Sequence, residues 1–178
     1  MTASNDPTTD MDRRGDEDSI DKVLDMIGQA RFAMFGTYDA AGTCHARPMA
    51  SVEQERDTKM EALWFFTRAE SRKTTEIAQD PRVSLSYADA SGQNYVSVTG
   101  QAEIIEDREK SEALWSEPLR TWFPEGATDD SIRLIRVVLE SAEYWDAPSS
   151  AMVFAYGYAK ARLTGEPPSP GDVAQVKL

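Results

Sequence analysis

The chain has 178 residues, with 31 acidic and 19 basic side chains and a formal net charge of −12. That is one domain's worth of protein, large enough to bury a core without help from disulfides or a structural metal. No run of Lys and Arg offsets the acidic balance, so neither a nucleic-acid nor a membrane partner is expected. A single cysteine, Cys44, and a single histidine, His45, exclude an intrachain disulfide and a zinc site of three or four Cys and His ligands. The two are adjacent and would point to opposite faces of an extended strand, so a structural Cys44 is expected ahead of a catalytic one. No apolar leader or membrane-length run is found, and a reducing, cytoplasmic setting is the expectation.

Residues 1–18 are acidic and almost free of apolar side chains, which predicts a disordered tail ahead of a domain spanning 19–178. Ser19 then caps a short helix in which Ile20, Val23, Leu24 and Ile27 recur at helical spacing, with Gly28 near its stop. From Arg31 to Tyr38 the period becomes two, and the Asp39-Ala40-Ala41-Gly42 turn leads into a second strand, Thr43 to Val52. The charged stretch Glu53 to Lys59 reads as a loop. Ala62 to Thr67 is a largely buried third strand, and Ser71 to Gln79 a helix that closes before Pro81.

Val83 to Tyr87 and a long strand containing Val96, Val98, Ala102 and Ile104 on one face follow. Gly100 in the latter suggests a bend or bulge of the kind a barrel corner needs. A helix opens at Asp107, a loop covers Glu117 to Asp130, and a sixth strand runs from Ile132 to Trp145. A last helix capped by Ser149 and a Pro-rich extended tail complete the chain. Six strands joined mostly by turns do not fit a doubly wound parallel sheet. They predict a mainly β (α+β) fold, a six-stranded antiparallel barrel with flanking helices.

No G-x-G-x-x-G or Walker-type loop is present. A phosphorylated ligand would instead be met at Thr67 to Thr75, where Thr67, Ser71, Arg72 and Lys73 stand at the junction of a buried strand and a helix N-terminus. The same residues also read as a capped surface helix with solvated charges. In His45 to Ser51, His45, Arg47 and Met49 share one strand face, and Pro48 marks an edge or bulge where a ligand can approach backbone.

Four segments in order resemble the pyridoxamine 5'-phosphate oxidase-like flavoproteins: Arg47-Pro48-Met49; Phe66-Thr67 with Ser71-Arg72-Lys73; Tyr95 to Glu103; and Glu143-Tyr144-Trp145-Asp146-Ala147-Pro148-Ser149. Within them the Tyr-Trp-Asp-Ala-Pro-Ser ending is most similar to the general stress protein 26 branch. The resemblance implies a split β-barrel homodimer with flavin at the subunit interface. FMN is the implied cofactor, with FAD or a deazaflavin as alternatives, and a small-molecule redox substrate is the implied partner. Arg47, Thr67, Ser71, Arg72 and Lys73 would meet the phosphate and ribityl chain. Backbone at Pro48, Met49 and Ala50 would lie along the ring, Phe66 would adjoin the site, and Trp145 would come from the second subunit.

The oxidases carry a basic Arg-x-His segment after this Trp and a basic residue at the position of Val52. Both are missing here, so oxidation of pyridoxamine phosphate is not expected. The expected function is that of an FMN-binding general stress protein acting as a flavin-dependent oxidoreductase. The alternatives are a flavin-binding module without turnover, acting as a cofactor buffer or stress sensor, and a dimeric stress protein with no cofactor.

Overall fold

In the computed structural model, residues 8–57, 60–146 and 172–177 are described. Helix α1 spans Thr8–Ala30, strands β1 Phe32–Tyr38, β2 Cys44–Asp57 and β3 Met60–Arg68, and helix α2 Arg72–Gln79. Strands β4 Arg82–Asp89 and β5 Asn94–Ile105, helix α3 Arg108–Ala113, a 3-10 turn Glu117–Thr121, and strands β6 Ile132–Asp146 and β7 Asp172–Lys177 follow. All pairings are antiparallel, in the order β3-β2-β1-β4-β5-β6-β7, and a β3–β6 pairing closes the first six strands into a barrel.

The barrel is split because two long strands change partners along their length. β2 pairs with β1 over Cys44 to Ala50 and with β3 from Ser51 onward. β6 pairs with β3 over Ile132 to Val138 and with β7 over Ser141 to Asp146. Each change sits at a register irregularity, which lets a strand turn away from one neighbour toward another. On β2 the extra residue is Val52, between Ser51 and Glu53. Opposite β5 it is Glu140, because Thr99 faces Ser141 while Gly100 faces Leu139. Gly100 is the bend its sequence suggested: a Cβ there would stand 2.2 Å from the carbonyl oxygen of Val138.

Alternation along the strands fills the interior with Ala33, Phe35, Leu63, Phe65, Val83, Leu85, Tyr87, Val96, Val98, Ile135 and Val137. Phe35 and Phe65 meet edge to face at 5.1 Å between ring centroids. Val23, Leu24, Met26 and Ile27 of α1 join this core. A second cluster of Trp64, Phe66, Phe123, Ile132 and Leu134 lies on the other face of β3, with Leu114 and Trp115 packed against it.

Three expectations change. Helix α1 begins at Thr8 rather than Ser19, within the segment assigned to a disordered tail, since extending a helix already nucleated by packed residues costs little per residue. Glu53 to Asp57 continues β2 instead of forming a loop. Its charges are accommodated by partners: Arg56 pairs with Asp21 and Asp25 of α1 at 3.1 and 3.0 Å, and Glu55 accepts from Trp64 Nε1 at 2.9 Å and Arg136 at 3.2 Å. Lys110 reaches Glu53 at 2.8 Å. Finally, a seventh strand, β7, extends the sheet along the last part of β6, and its Val176 joins the main core. The helix expected from Ser149 lies outside the described residues. Among those residues, no helix is long and apolar enough to cross a membrane.

Candidate functional site

The site forms where the opening of the split meets the start of α2. Asp39 shapes the β1–β2 turn by accepting from the N–H groups of Ala41 and Thr43, both at 2.9 Å. The hairpin then sets Phe35 opposite Arg47 and Thr37 opposite His45. His45, Arg47 and Met49 are all partly buried and alternate with exposed Cys44, Ala46 and Pro48, as the strand period requires. Over Cys44 to Ala50 the other edge of β2 pairs with none of the described strands. Pro48, which has no N–H to donate, stands on that open edge.

Helix α2 starts with a capping box. Ser71 Oγ accepts from the Thr74 N–H at 3.4 Å, and Thr74 Oγ1 accepts from the Ser71 N–H at 3.1 Å. Thr67, buried at the end of β3, places its hydroxyl 3.4 Å from that of Ser71, and Lys73 Nζ lies 3.5 Å from Ser71 Oγ. The N–H groups of Arg72 and Lys73, at the first two helical positions, have no partner within the helix. Hydroxyls, an ammonium and free amides therefore converge at the positive end of the helix dipole.

Beneath them lies a buried carboxylate, Glu76, with its side chain 5% exposed. Its Oε2 accepts from the Thr37 hydroxyl at 2.5 Å and from Arg47 Nη2 at 3.3 Å, and its Oε1 accepts from Arg72 Nε at 2.7 Å. Arg47 Nη1 also donates to Thr37 Oγ1 at 2.6 Å and to the Phe35 carbonyl at 3.3 Å. Burial pushes the Glu76 pKa up, but hydrogen bonds from Thr37 and Arg72 and the charges of Arg72 and Arg47 outweigh it and hold the group below its ordinary value. At the rim, His45 Nε2 lies 3.0 Å from Asp39 Oδ2, and Arg72 Nη2 lies 3.9 Å from the same oxygen. The His45 hydrogen bond, with those from Thr43 and Ala41, draws the Asp39 pKa down to about 2.

Lys73 differs from both arginines. Among the described residues, no carboxylate oxygen lies within ion-pair reach of its ammonium, its side chain is half-buried, and its pKa is lowered by that burial and then by the charge of Arg47. A cation kept partly out of water beside another cation, next to two hydroxyls and a helix N-terminus, is an arrangement completed by an anion.

Arg47, Thr67, Ser71, Arg72 and Lys73 are thus brought together. Pro48, Met49 and Ala50 adjoin them on the open edge of β2. Phe66 is not brought in as a side chain: it lies on the opposite face of β3 from Thr67, edge to face with Trp115 at 6.1 Å. Trp145 is on the barrel's outer face. The register sets Trp145 beside Tyr95, Tyr95 beside Ala88, and Ala50 beside Phe32, while Ala33 faces Tyr87 to join the two halves. Counted around the sheet, four strand spacings lie between Trp145 and Ala50 within one chain. That outer face carries exposed apolar groups: Phe32 at 62%, Met34 at 47%, Tyr95 at 44% and Trp145 at 38%.

Two members of the site escaped the sequence. Glu76 stands four residues after Arg72, a spacing that flags a helical ion pair. Thr37 shares the inward parity of Phe35, but nothing local marks its hydroxyl as a link between Glu76 and Arg47. Among the described residues, no three His, Cys, Asp or Glu side chains are placed to hold a metal.

The sequence profile described as "Pyridoxamine 5'-phosphate oxidase like" matches residues 18–169. General stress protein 26 of Bacillus subtilis is 27% identical over 134 residues, covering 74% of this chain and 91% of that protein. A solved structure of a putative general stress protein 26 from Jannaschia sp. CCS1 superposes with a TM-score of 0.73 at 26% identity, covering 91% of this chain and 99% of that one. The general stress FMN/FAD binding protein of Xanthomonas citri superposes with a TM-score of 0.58 at 26% identity, covering 68% of this chain and 84% of that one. The split barrel, the order of its motifs and the profile match agree, and this chain belongs to the pyridoxamine 5'-phosphate oxidase-like family, with general stress proteins 26 among the relatives it resembles.

Proposed function

We propose that this protein binds FMN and works as a flavin-dependent oxidoreductase of the general stress type, on a small-molecule substrate other than pyridoxamine phosphate. The observation that carries the reading is Lys73: a half-buried ammonium with no carboxylate of its own among the described residues, pointing to Ser71 at the start of α2. The residues present fit the phosphate end of the cofactor. Lys73, the Thr67 and Ser71 hydroxyls and the first amides of α2 would bind it, with Arg47 and Arg72 contributing charge. The open backbone edge at Pro48, Met49 and Ala50 would lie along the ring. Bound flavin would supply the hydride or electron chemistry, while the chain binds, orients and shields it from water. The name of the Xanthomonas citri relative supports a flavin of either the FMN or the FAD type.

In this reading the exposed row of Phe32, Tyr95 and Trp145 meets a second copy of the chain, and Trp145 reaches the partner's site. Sedimentation at twice the chain mass is the expected result, and a monomer at micromolar concentration would contradict it.

The phosphate reading is tested by calorimetric titration with FMN and with riboflavin, which differ only in that group. FMN is expected to bind at one per chain and riboflavin more weakly by about a hundredfold or more. Equal affinities would contradict the assignment of Lys73, and no binding of either would remove the flavin. Turnover with NADH or NADPH and an artificial acceptor is expected; a protein that binds FMN without turnover is the module instead.

A pH dependence follows from Lys73. Its pKa lies below the ordinary 10.5 in the free protein. The ammonium therefore loses its proton at a lower pH than an exposed lysine does. FMN affinity is expected to fall as pH rises through that depressed value, and Lys73→Arg is expected to flatten the fall, because guanidinium stays charged. Affinity that declines identically in both proteins would place the titrating group elsewhere.

A further inference from the structure

Glu76 has a place in this site that charge alone does not explain. Three cations converge on one cleft, and a carboxylate beneath them weakens their attraction for an anion. Yet the contacts Glu76 makes are geometric as well as ionic. Its two oxygens are divided, Oε1 to Arg72 and Oε2 to Arg47, and Oε2 is tied in addition by the Thr37 hydroxyl. Thr37 spends its one proton on Glu76 while its oxygen accepts from Arg47 Nη1 at 2.6 Å. The Phe35 carbonyl holds the same nitrogen at 3.3 Å. Arg47 is thereby pinned by a main-chain oxygen, a hydroxyl and a carboxylate. A guanidinium has five N–H donors in a rigid fork, so those left over have a defined direction. Without the carboxylate, two guanidiniums and an ammonium would repel one another at the mouth of the barrel, and the two long side chains would turn toward water.

We infer that Glu76 is a positioning residue that fixes Arg47 and Arg72 for a phosphate monoester, so that preference for the phosphorylated flavin depends on it; this rests on the flavin reading above. The inference separates three roles. If Glu76 positions the arginines, its loss lowers affinity for FMN and leaves riboflavin unchanged. If it only neutralises them, its loss raises affinity for FMN. If it only supports the fold, both ligands change together.

The test is calorimetry with FMN and with riboflavin on wild type, Glu76→Gln, Thr37→Val and Thr37→Ser, each with its thermal melt. Glu76→Gln is expected to lower the FMN-to-riboflavin affinity ratio by about tenfold, with riboflavin within about twofold of wild type. Thr37→Val is expected to move the ratio the same way by a smaller factor, and Thr37→Ser, which keeps the hydroxyl, to restore it. Should Glu76→Gln fail to fold, the Thr37 pair decides alone. A ratio that stays constant or rises in the folded variants overturns the inference while FMN binding by wild type stands. Wild type that binds neither ligand overturns the flavin reading and this inference with it.

Discussion

Lys73→Met is expected to weaken FMN binding by about 2 to 3 kcal/mol, roughly 30- to 150-fold, without loss of the fold. A charge-assisted contact to a phosphate is worth about that much when it is made in a partly dry cleft. In the free protein burial and Arg47 both act against the charge of this ammonium. Thermal stability should therefore stay level or rise. Arg47→Met is expected to behave differently, since Arg47 serves Glu76 as well. It should lose FMN affinity and also about 1 to 3 kcal/mol of stability, the cost of removing one partner of a buried acceptor. Calorimetry and urea unfolding on the two variants make the contrast measurable. Wild-type FMN affinity in Lys73→Met would return that residue to a solvated helix charge.

Gly100→Ala is expected to cost about 3 kcal/mol of stability. A methyl group at this position meets the Val138 carbonyl oxygen at 2.2 Å, and its next neighbour is the Val138 carbonyl carbon at 3.1 Å. Both are backbone atoms of β6, so relief requires the strands to separate where β6 bulges at Glu140. Gly36→Ala is the matched comparison: a methyl there first meets the Ser84 hydroxyl at 2.5 Å, the tip of a side chain that can rotate. It should cost clearly less. Urea midpoints at unchanged slope are the measurement, and equal losses in the two variants would contradict the need for β5 and β6 to separate.

These two residues show what could be read in the chain before its structure. Gly100 stood out because it interrupts a long alternating strand, and Lys73 because it follows a serine cap beside a second cation. The strands with clean alternation, β4 and β5, were legible for the same reason: one face is buried and the other is not. The end of β2 was not, since Glu53, Gln54, Glu55, Arg56 and Asp57 have poor strand propensity and are held there by α1, β3, β6 and α3. β7 was missed because Val173 and Val176 make too short a pattern to register. At the site, the hydroxyls and cations were visible as types. Their division was not: Glu76 claims Arg47 and Arg72 and leaves Lys73 unclaimed, through contacts across β1, β2 and α2 that local spacing does not encode. Phe66 shows the converse, since its adjacency to Thr67 in a motif did not reveal that its side chain would take the opposite face of the sheet.

A crystal structure of the protein grown with FMN tests the site most directly. The phosphate is predicted to lie within hydrogen-bond reach of Lys73 Nζ and the Thr67 and Ser71 hydroxyls, with the ring along Pro48 to Ala50. FMN ordered with its phosphate elsewhere, or crystals without flavin at saturating FMN, would contradict the account.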